Sequence, residues 1–87
     1  MKLYITTKWK KMYKNLPIEI RLKAKKQYKL FKTDMFHSSL HFKKVHSSQP
    51  IFSARIDTNY RTVGIVNDNK IVWFFIGNHQ DYERVIR

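Results

Sequence analysis

Six consecutive apolar residues, Ile71-Val72-Trp73-Phe74-Phe75-Ile76, constrain the fold of this chain more than any other feature. A strand with one wet face alternates apolar and polar side chains, whereas an unbroken run of this length fits an interior strand covered on both faces. A chain of 87 residues has material for one core only. The remaining elements must therefore be arranged as neighbours and covers of that one strand, in a single domain spanning residues 1–87.

The patterning supplies those neighbours. Met1–Thr6 alternates and reads as a short first strand. Trp9, Met12, Tyr13 and Leu16 recur at helical spacing, and Pro17 closes that helix and suits the first turn of the next. The second helix is expected from Pro17 to Lys32, with Glu19 complementing its dipole. Ile20, Ala24, Tyr28 and Phe31 form its inner face and Arg21, Lys25, Lys29 and Lys32 a basic one. Residues 33–50 are polar and irregular, with a possible short strand over 40–45. Ile51–Asp57 and Tyr60–Val66 read as strands joined by a tight turn. Asn67-Asp68-Asn69 is a second turn leading to Lys70–Ile76, which Gly77-Asn78 ends, and Asp81–Arg87 allows a short terminal helix. Tight turns make the late strands antiparallel. The expected class is α+β: a small antiparallel sheet with an N-terminal helical hairpin on one face, in the order β-α-α-β-β-β plus a short helix. The opposite, more open face is where a ligand would sit.

The charge is lopsided. The net charge is +12, and residues 1–55 hold 14 Lys/Arg against two acids, while residues 56–87 hold four of each sign. Such a field favours a polyanion: RNA, DNA, an acidic protein or an anionic membrane. There is no cysteine, so disulfides and thiolate metal sites are excluded and a reducing, cytoplasmic setting is favoured. No run reaches the roughly 18–20 apolar residues of a membrane span, and no secretory h-region is evident.

Several blocks carry a family resemblance. They are Phe36-His37-Ser38-Ser39-Leu40-His41-Phe42-Lys43-Lys44, then Ser53-Ala54-Arg55 and Asn59-Tyr60-Arg61, then Trp73-Phe74-Phe75-Ile76-Gly77-Asn78-His79 and Asp81-Tyr82. In order and spacing they resemble the RelE/ParE superfamily of type II toxin–antitoxin toxins, chiefly its RelE/HigB-like messenger-RNA-cutting branch. Ser38 departs from the proline such sequences often carry. The resemblance implies a RelE-like fold, a cognate antitoxin as partner, and ribosome-dependent cleavage of messenger RNA in the A site, with ribosomal RNA contacts. The implied reaction is attack of the ribose 2′-OH on the adjacent phosphate. Neither a cofactor nor a small-molecule ligand is implied.

That reaction needs a proton acceptor, cations for the phosphorane oxygens and a proton donor for the leaving oxygen. His79 is the first choice for acid or base, because imidazole titrates near neutrality. Arg61 is the choice for a phosphate clamp, since its planar fork matches phosphate. Tyr82, one helical turn beyond His79, could stack on a base, donate to phosphate, or simply pack. Arg55 is a companion RNA contact, with an ion pair to Asp57 as the structural alternative. Lys43 and Lys44 would point to opposite strand faces, so one of them contacts RNA. His41 and His46 are placed at the rim of the RNA site. His37, His41 and His46 lack an acidic co-ligand nearby, so no metal site is expected. Two other readings remain at this stage: a ParE-like inhibitor of DNA gyrase, and a non-catalytic RNA-binding module.

Overall fold

The computed structural model describes all residues, Met1–Arg87. Strand β5 (Lys70–Asn78) holds the apolar run and lies inside a five-stranded sheet of order β1-β5-β4-β3-β2. Its neighbours are β1 (Lys2–Ile5), which is parallel to it, and β4 (Tyr60–Asn67), which is antiparallel. Beyond β4 lie β3 (Ile51–Arg55) and the two-residue β2 (Lys43–Lys44), both antiparallel. The expected antiparallel sheet is thus extended by one parallel strand. Two helices cross between β1 and β5: α1 (Thr7–Lys14) and α2 (Ile18–Thr33). A third, α3 (His79–Val85), follows β5 directly. No helix is long and apolar enough to cross a membrane.

The local causes are visible. Thr6 caps α1 by accepting from the Trp9 N–H at 3.0 Å. Pro17 stands just outside α2, at its N-cap, and its carbonyl accepts from Ile20 and Arg21. Asp68 and Asn69 both adopt positive φ (49° and 61°), the geometry of a two-residue hairpin between β4 and β5. The 33–50 segment is not wholly irregular. Ser38–Leu40 forms a 3-10 turn that drives Leu40 into the core, and the strand expected over 40–45 shrinks to Lys43–Lys44.

The apolar run does lack alternation, for a specific reason. Val63 pairs with Phe75 but Gly64 pairs with Trp73, so Phe74 is an extra residue, a β-bulge. The bulge inverts the phase of β5. Before it, Ile71 and Trp73 face the helical hairpin and pack with Phe31 and Leu40. After it, Ile76 faces the hairpin with Ile20 and Ala24, while Phe75 turns to the other face and meets Val63 and Tyr82. Strand β5 also continues through the buried Gly77 to Asn78, beyond the expected stop. On the hairpin side the Trp9 indole N–H donates to the Thr62 hydroxyl at 3.0 Å, and that hydroxyl donates to the Phe75 carbonyl at 2.8 Å. The bond pins α1 to the sheet beside the bulge.

The hairpin is less cleanly two-sided than its pattern predicts. Ile20, Ala24 and Phe31 are buried, but Tyr28 is half-exposed, and Ile18 and Leu22 on α2 lie open to solvent. Gly64 is required by close approach. A Cβ there would sit 2.8 Å from Trp73 and 3.0 Å from the Val72 carbonyl, and the latter is backbone that cannot yield. Gly64→Ala is expected to destabilise the fold by about 1–3 kcal/mol through overpacking. Urea unfolding of the variant beside the wild type measures this, and an unchanged midpoint would contradict it.

Candidate active site on the open sheet face

The face opposite the hairpin is set by register. Arg55 pairs with Arg61, Arg61 with Gly77, and Lys43 with Ser53. Cross-strand partners point the same way, so Lys43, Ser53, Arg55 and Arg61 share this face. Lys44 pairs with Phe52, whose ring stacks on Phe42 beneath the hairpin, so Lys44 belongs to the other face. Of the two lysines, Lys43 is therefore the one on the open face.

The four residues Ile56–Asn59 between β3 and β4 form a knot of hydrogen bonds. One carboxylate oxygen of Asp57 accepts from the N–H groups of Asn59 and Tyr60 at 2.9 and 3.0 Å, and the other pairs with the Lys23 ammonium of α2 at 3.2 Å. The Arg61 guanidinium donates through Nη1 to the carbonyls of Asp57 (2.6 Å), Tyr60 (3.0 Å) and Thr58 (3.4 Å). Arg55 donates through Nη2 to the Thr58 hydroxyl at 3.0 Å. The Asn59 carbonyl accepts from the backbone N–H of His79 at 2.8 Å. One turn therefore fixes both arginines and the start of α3. All of Arg61's bonds run through Nη1, which leaves the side-on fork of Nε and Nη2 free for a phosphate. Arg55 reaches Thr58, not Asp57. The strand ends at Arg55, so Asp57 no longer shares its face and turns to Lys23 instead.

His79 is the first residue of α3, with Asn78 capping the helix through the Asp81 N–H at 2.9 Å. Its side chain is half-exposed and its Nε2 lies 3.0 Å from the Glu83 carboxylate, one turn along. The Tyr82 ring sits 5.6 Å from the imidazole but faces inward. Tyr82 is buried with Val63 and Phe75, and its hydroxyl donates to Ser53 Oγ at 3.3 Å. This corrects the expectation of a contact to base or phosphate: an amphipathic ring with an apolar seat and a buried partner has no reason to leave it. Tyr82 holds α3 against the sheet and so positions His79.

His46 is likewise not at the rim. Its Nδ1 accepts from the N–H groups of Ser48 and Gln49, shaping the loop that leads to Pro50, at the far end of β3 from Arg55. His37 Nδ1 accepts from the Ser39 N–H and caps the 3-10 turn, and His41 closes that turn. His41 lies in a groove with Arg55 and Lys23, between α2 and the end of β3. Sequence reasoning missed Lys23, which falls between the positions of the basic stripe, and Glu83. The Asp-Thr-Asn of the turn did carry a legible signal for Asp57, since aspartate accepts from backbone N–H groups two residues on.

The chain is thus a basic α+β domain that presents anchored arginines and an exposed histidine on one sheet face, and comparison with known proteins identifies its family. Residues 18–84 match the family described as ParE-like toxin domain. The chain belongs to that family. The fold is shared with YafQ from E. coli, at 12% identity and TM-score 0.74 over 93% of this chain and 96% of that one. It is shared equally with a chain of the RelB–RelE antitoxin–toxin complex of Methanococcus jannaschii, at 18% identity and TM-score 0.75 over 97% and 99%. A YoeB/ParE toxin from Agrobacterium tumefaciens gives 18% identity and TM-score 0.71 over 91% and 99%. No curated protein sequence gives a significant match. The expected RelE-like architecture and superfamily are therefore found.

Asp57 carries the one clear electrostatic perturbation of the chain. Burial works to raise its pKa, but the Asn59 N–H, the bond and charge of Lys23, and the Tyr60 N–H together draw it below the ordinary 3.8. A depressed carboxylate adds stability above its ordinary pKa and loses that contribution as pH falls through it. Asp57→Asn is expected to cost at most about 1 kcal/mol near neutrality, because Lys23 is more than half exposed. The gap from wild type should close as pH drops below the ordinary 3.8. Unfolding midpoints of both proteins from neutral to acid pH test this, and a gap that widens in acid would reverse the assignment.

Proposed function

We propose that this toxin domain is a ribosome-dependent endoribonuclease that cuts messenger RNA in the A site and so stops translation in the cytoplasm. The observation that carries the reading is the convergence of a half-exposed His79 and the free fork of Arg61 on one hydrogen-bonded turn of a basic protein. The Arg61 fork binds the non-bridging oxygens of the scissile phosphate and stabilises the phosphorane. His79 moves the proton, either from the attacking 2′-hydroxyl or to the departing 5′-oxygen. Arg55 and Lys43 hold neighbouring phosphates. Tyr82 and Glu83 support His79 from below and beside. Several activities fit on one fold, and here the site residues, more than the fold, favour chemistry over binding alone.

A cognate antitoxin belongs to the same reading. The RelE relative from Methanococcus jannaschii was solved with RelB, and YafQ with DinJ. An apolar cleft of about 480 Å³ opens between α1 and α2, with Lys10, Lys14, Lys25 and Lys29 among its lining residues. An acidic amphipathic segment would match both its floor and its rim. A second target is favoured by one observation, the match to a ParE-like family model, which keeps gyrase inhibition as the competing reading.

The deciding experiment is cleavage of a defined message on ribosomes stalled with an empty A site, with ends mapped by primer extension. The wild type should cut within A-site codons only when ribosomes are present. His79→Ala and Arg61→Lys should each lower the rate at least about tenfold. His79→Ala keeps the backbone bond to Asn59, and Arg61→Lys keeps the charge but loses the fork. An intact message with bound wild-type protein, alongside inhibited gyrase supercoiling, would transfer the assignment to gyrase. Binding with neither effect would leave an RNA-binding module.

Tyr82→Phe separates support from chemistry. It should lose about 1 kcal/mol of stability, because Ser53 is left without its buried partner, and retain cleavage within about threefold. A large loss of cleavage at unchanged stability would return Tyr82 to the catalytic group.

A further inference from the structure

We propose that the groove between α2 and the end of β3 is a second RNA subsite, which takes backbone phosphates flanking the bond cut on the open face. The inference rests on the ribonuclease reading and extends it. The groove has a volume of about 660 Å³, and only Leu30 and Ile56 among its lining residues are apolar. Lys23 and Lys26 of α2 form one wall, His37 and His41 at the ends of the 3-10 turn form another, and Arg55 and Asp57 close it.

Three features make this a built site and not a stretch of basic surface. The floor is tied: the Gln27 amide donates to the carbonyls of Arg55 at 2.9 Å and Ser39 at 3.3 Å, locking α2, β3 and the 3-10 turn together. Its one carboxylate is already engaged, since Asp57 is committed to Lys23 and to the turn. An ammonium has three donors, so Lys23 keeps others for a phosphate. Finally, His41 is held at φ 45° and ψ 40°, left-handed backbone that glycine would occupy more cheaply. Its neighbours cause this. Leu40 is buried to 1% exposure and Phe42 packs on Phe31, so the chain must invert at His41, whose side chain lines the groove.

Continuity with the open face supplies the ligand class. Arg55 stands at the edge between the two faces: its carbonyl accepts from Gln27 on the groove side, its guanidinium reaches the turn at Thr58, and its cross-strand partner is Arg61. A single RNA strand bound at Arg61 can therefore pass Arg55 and run between Lys23, Lys26 and His41. A chain with one negative charge per nucleotide matches that row of cations, and single strands are bound in such electropositive grooves.

The test is fluorescence anisotropy of cleavage-resistant 2′-O-methyl RNA, a nonamer and a trimer, with the full chain. Lys23→Ala/Lys26→Ala should weaken the nonamer about tenfold, well beyond its effect on the trimer. Lys26→Ala alone, which breaks no ion pair, should move in the same direction. His41→Gly should weaken the nonamer about threefold without lowering the thermal midpoint, because glycine suits the left-handed backbone. Lys29→Ala/Lys32→Ala removes the same charge from α2 outside the groove and should cost under about threefold. Equal losses in the two lysine pairs, or equal losses for trimer and nonamer, would overturn the subsite in favour of a general field. Ribosomal cleavage by the wild type together with that pattern would remove the groove and leave the ribonuclease reading standing. A wild type that binds no nonamer at all and cuts no message would bring down both.

Discussion

The carboxylate of Asp57 is the interaction on which the candidate site depends. It closes the β3–β4 turn by accepting two backbone N–H groups and ties that turn to α2 through Lys23. Three candidate groups take their position from the closed turn: Arg61 through three carbonyls, Arg55 through Thr58, and His79 through the Asn59 carbonyl. A phosphate clamp works in proportion to its preorganisation, because a free arginine loses rotamer entropy when it binds. In the proposed clamp, the three carbonyl bonds of Arg61 meet that cost on folding. The ion pair itself contributes little, being partly exposed. What matters is that an aspartate with four bonding sites can hold backbone and lysine together, which a smaller or neutral side chain cannot do.

The β-bulge at Phe74 solves a second problem. The sheet has two unlike faces to cover, with a helical hairpin on one and a seven-residue helix on the other. Perfect alternation through β5 would send Ile71, Trp73, Phe75 and Gly77 to one side and Val72, Phe74 and Ile76 to the other, so Ile76 could not join Ile20 and Ala24 in the hairpin core. By inverting the phase, the extra residue lets one strand feed the hairpin core at its start and the Val63, Phe75 and Tyr82 cluster at its end. Gly77 then falls beside Arg61 on the open face, with the Phe75 ring folded close over it. The bulge thus lies within a few residues of the site, as bulges that re-aim side chains often do.

Much of this was legible in the residues. Helical stripes, strand alternation and Asn/Asp turns located most elements to within a few positions, because those signals arise from local backbone chemistry. The bulge was visible only as missing alternation, since periodicity cannot tell a strand buried twice from a strand that changes phase. Strand β1 was recognised, but its parallel pairing with β5 depends on the crossover through the helices. Tyr82 was misassigned for a related reason. Its spacing from His79 put both on one helix, but only the sheet register reveals that Ser53 lies under its hydroxyl. Arg61 and His79 were expected from family likeness and side-chain chemistry, and the structure sets both against the β3–β4 turn. Lys23 and Glu83 were missed because each matters through a partner that is distant or on another helical turn.

Charge and chemistry come from different parts of the chain, and the fold brings them together at one place. The first 55 residues carry the whole net charge of +12, while Arg61, His79 and Glu83 lie in a neutral remainder. The molecule measures 32 × 29 × 25 Å, several times the roughly 8–10 Å over which salt screens exposed charge. Under the proposed function, lysines on the outer side of α2, away from Lys23, would guide a polyanion's approach without acting at His79. Strands β2 and β3 are the exception: they belong to the basic part but pair into the neutral part, and they deliver Lys43 and Arg55 to the open face. Lys23 of α2 is a second exception, since it bonds the Asp57 carboxylate that closes the β3–β4 turn. A neutralising partner has a choice, since covering the helical hairpin removes the steering field, whereas covering the β3–β4 turn removes the site itself.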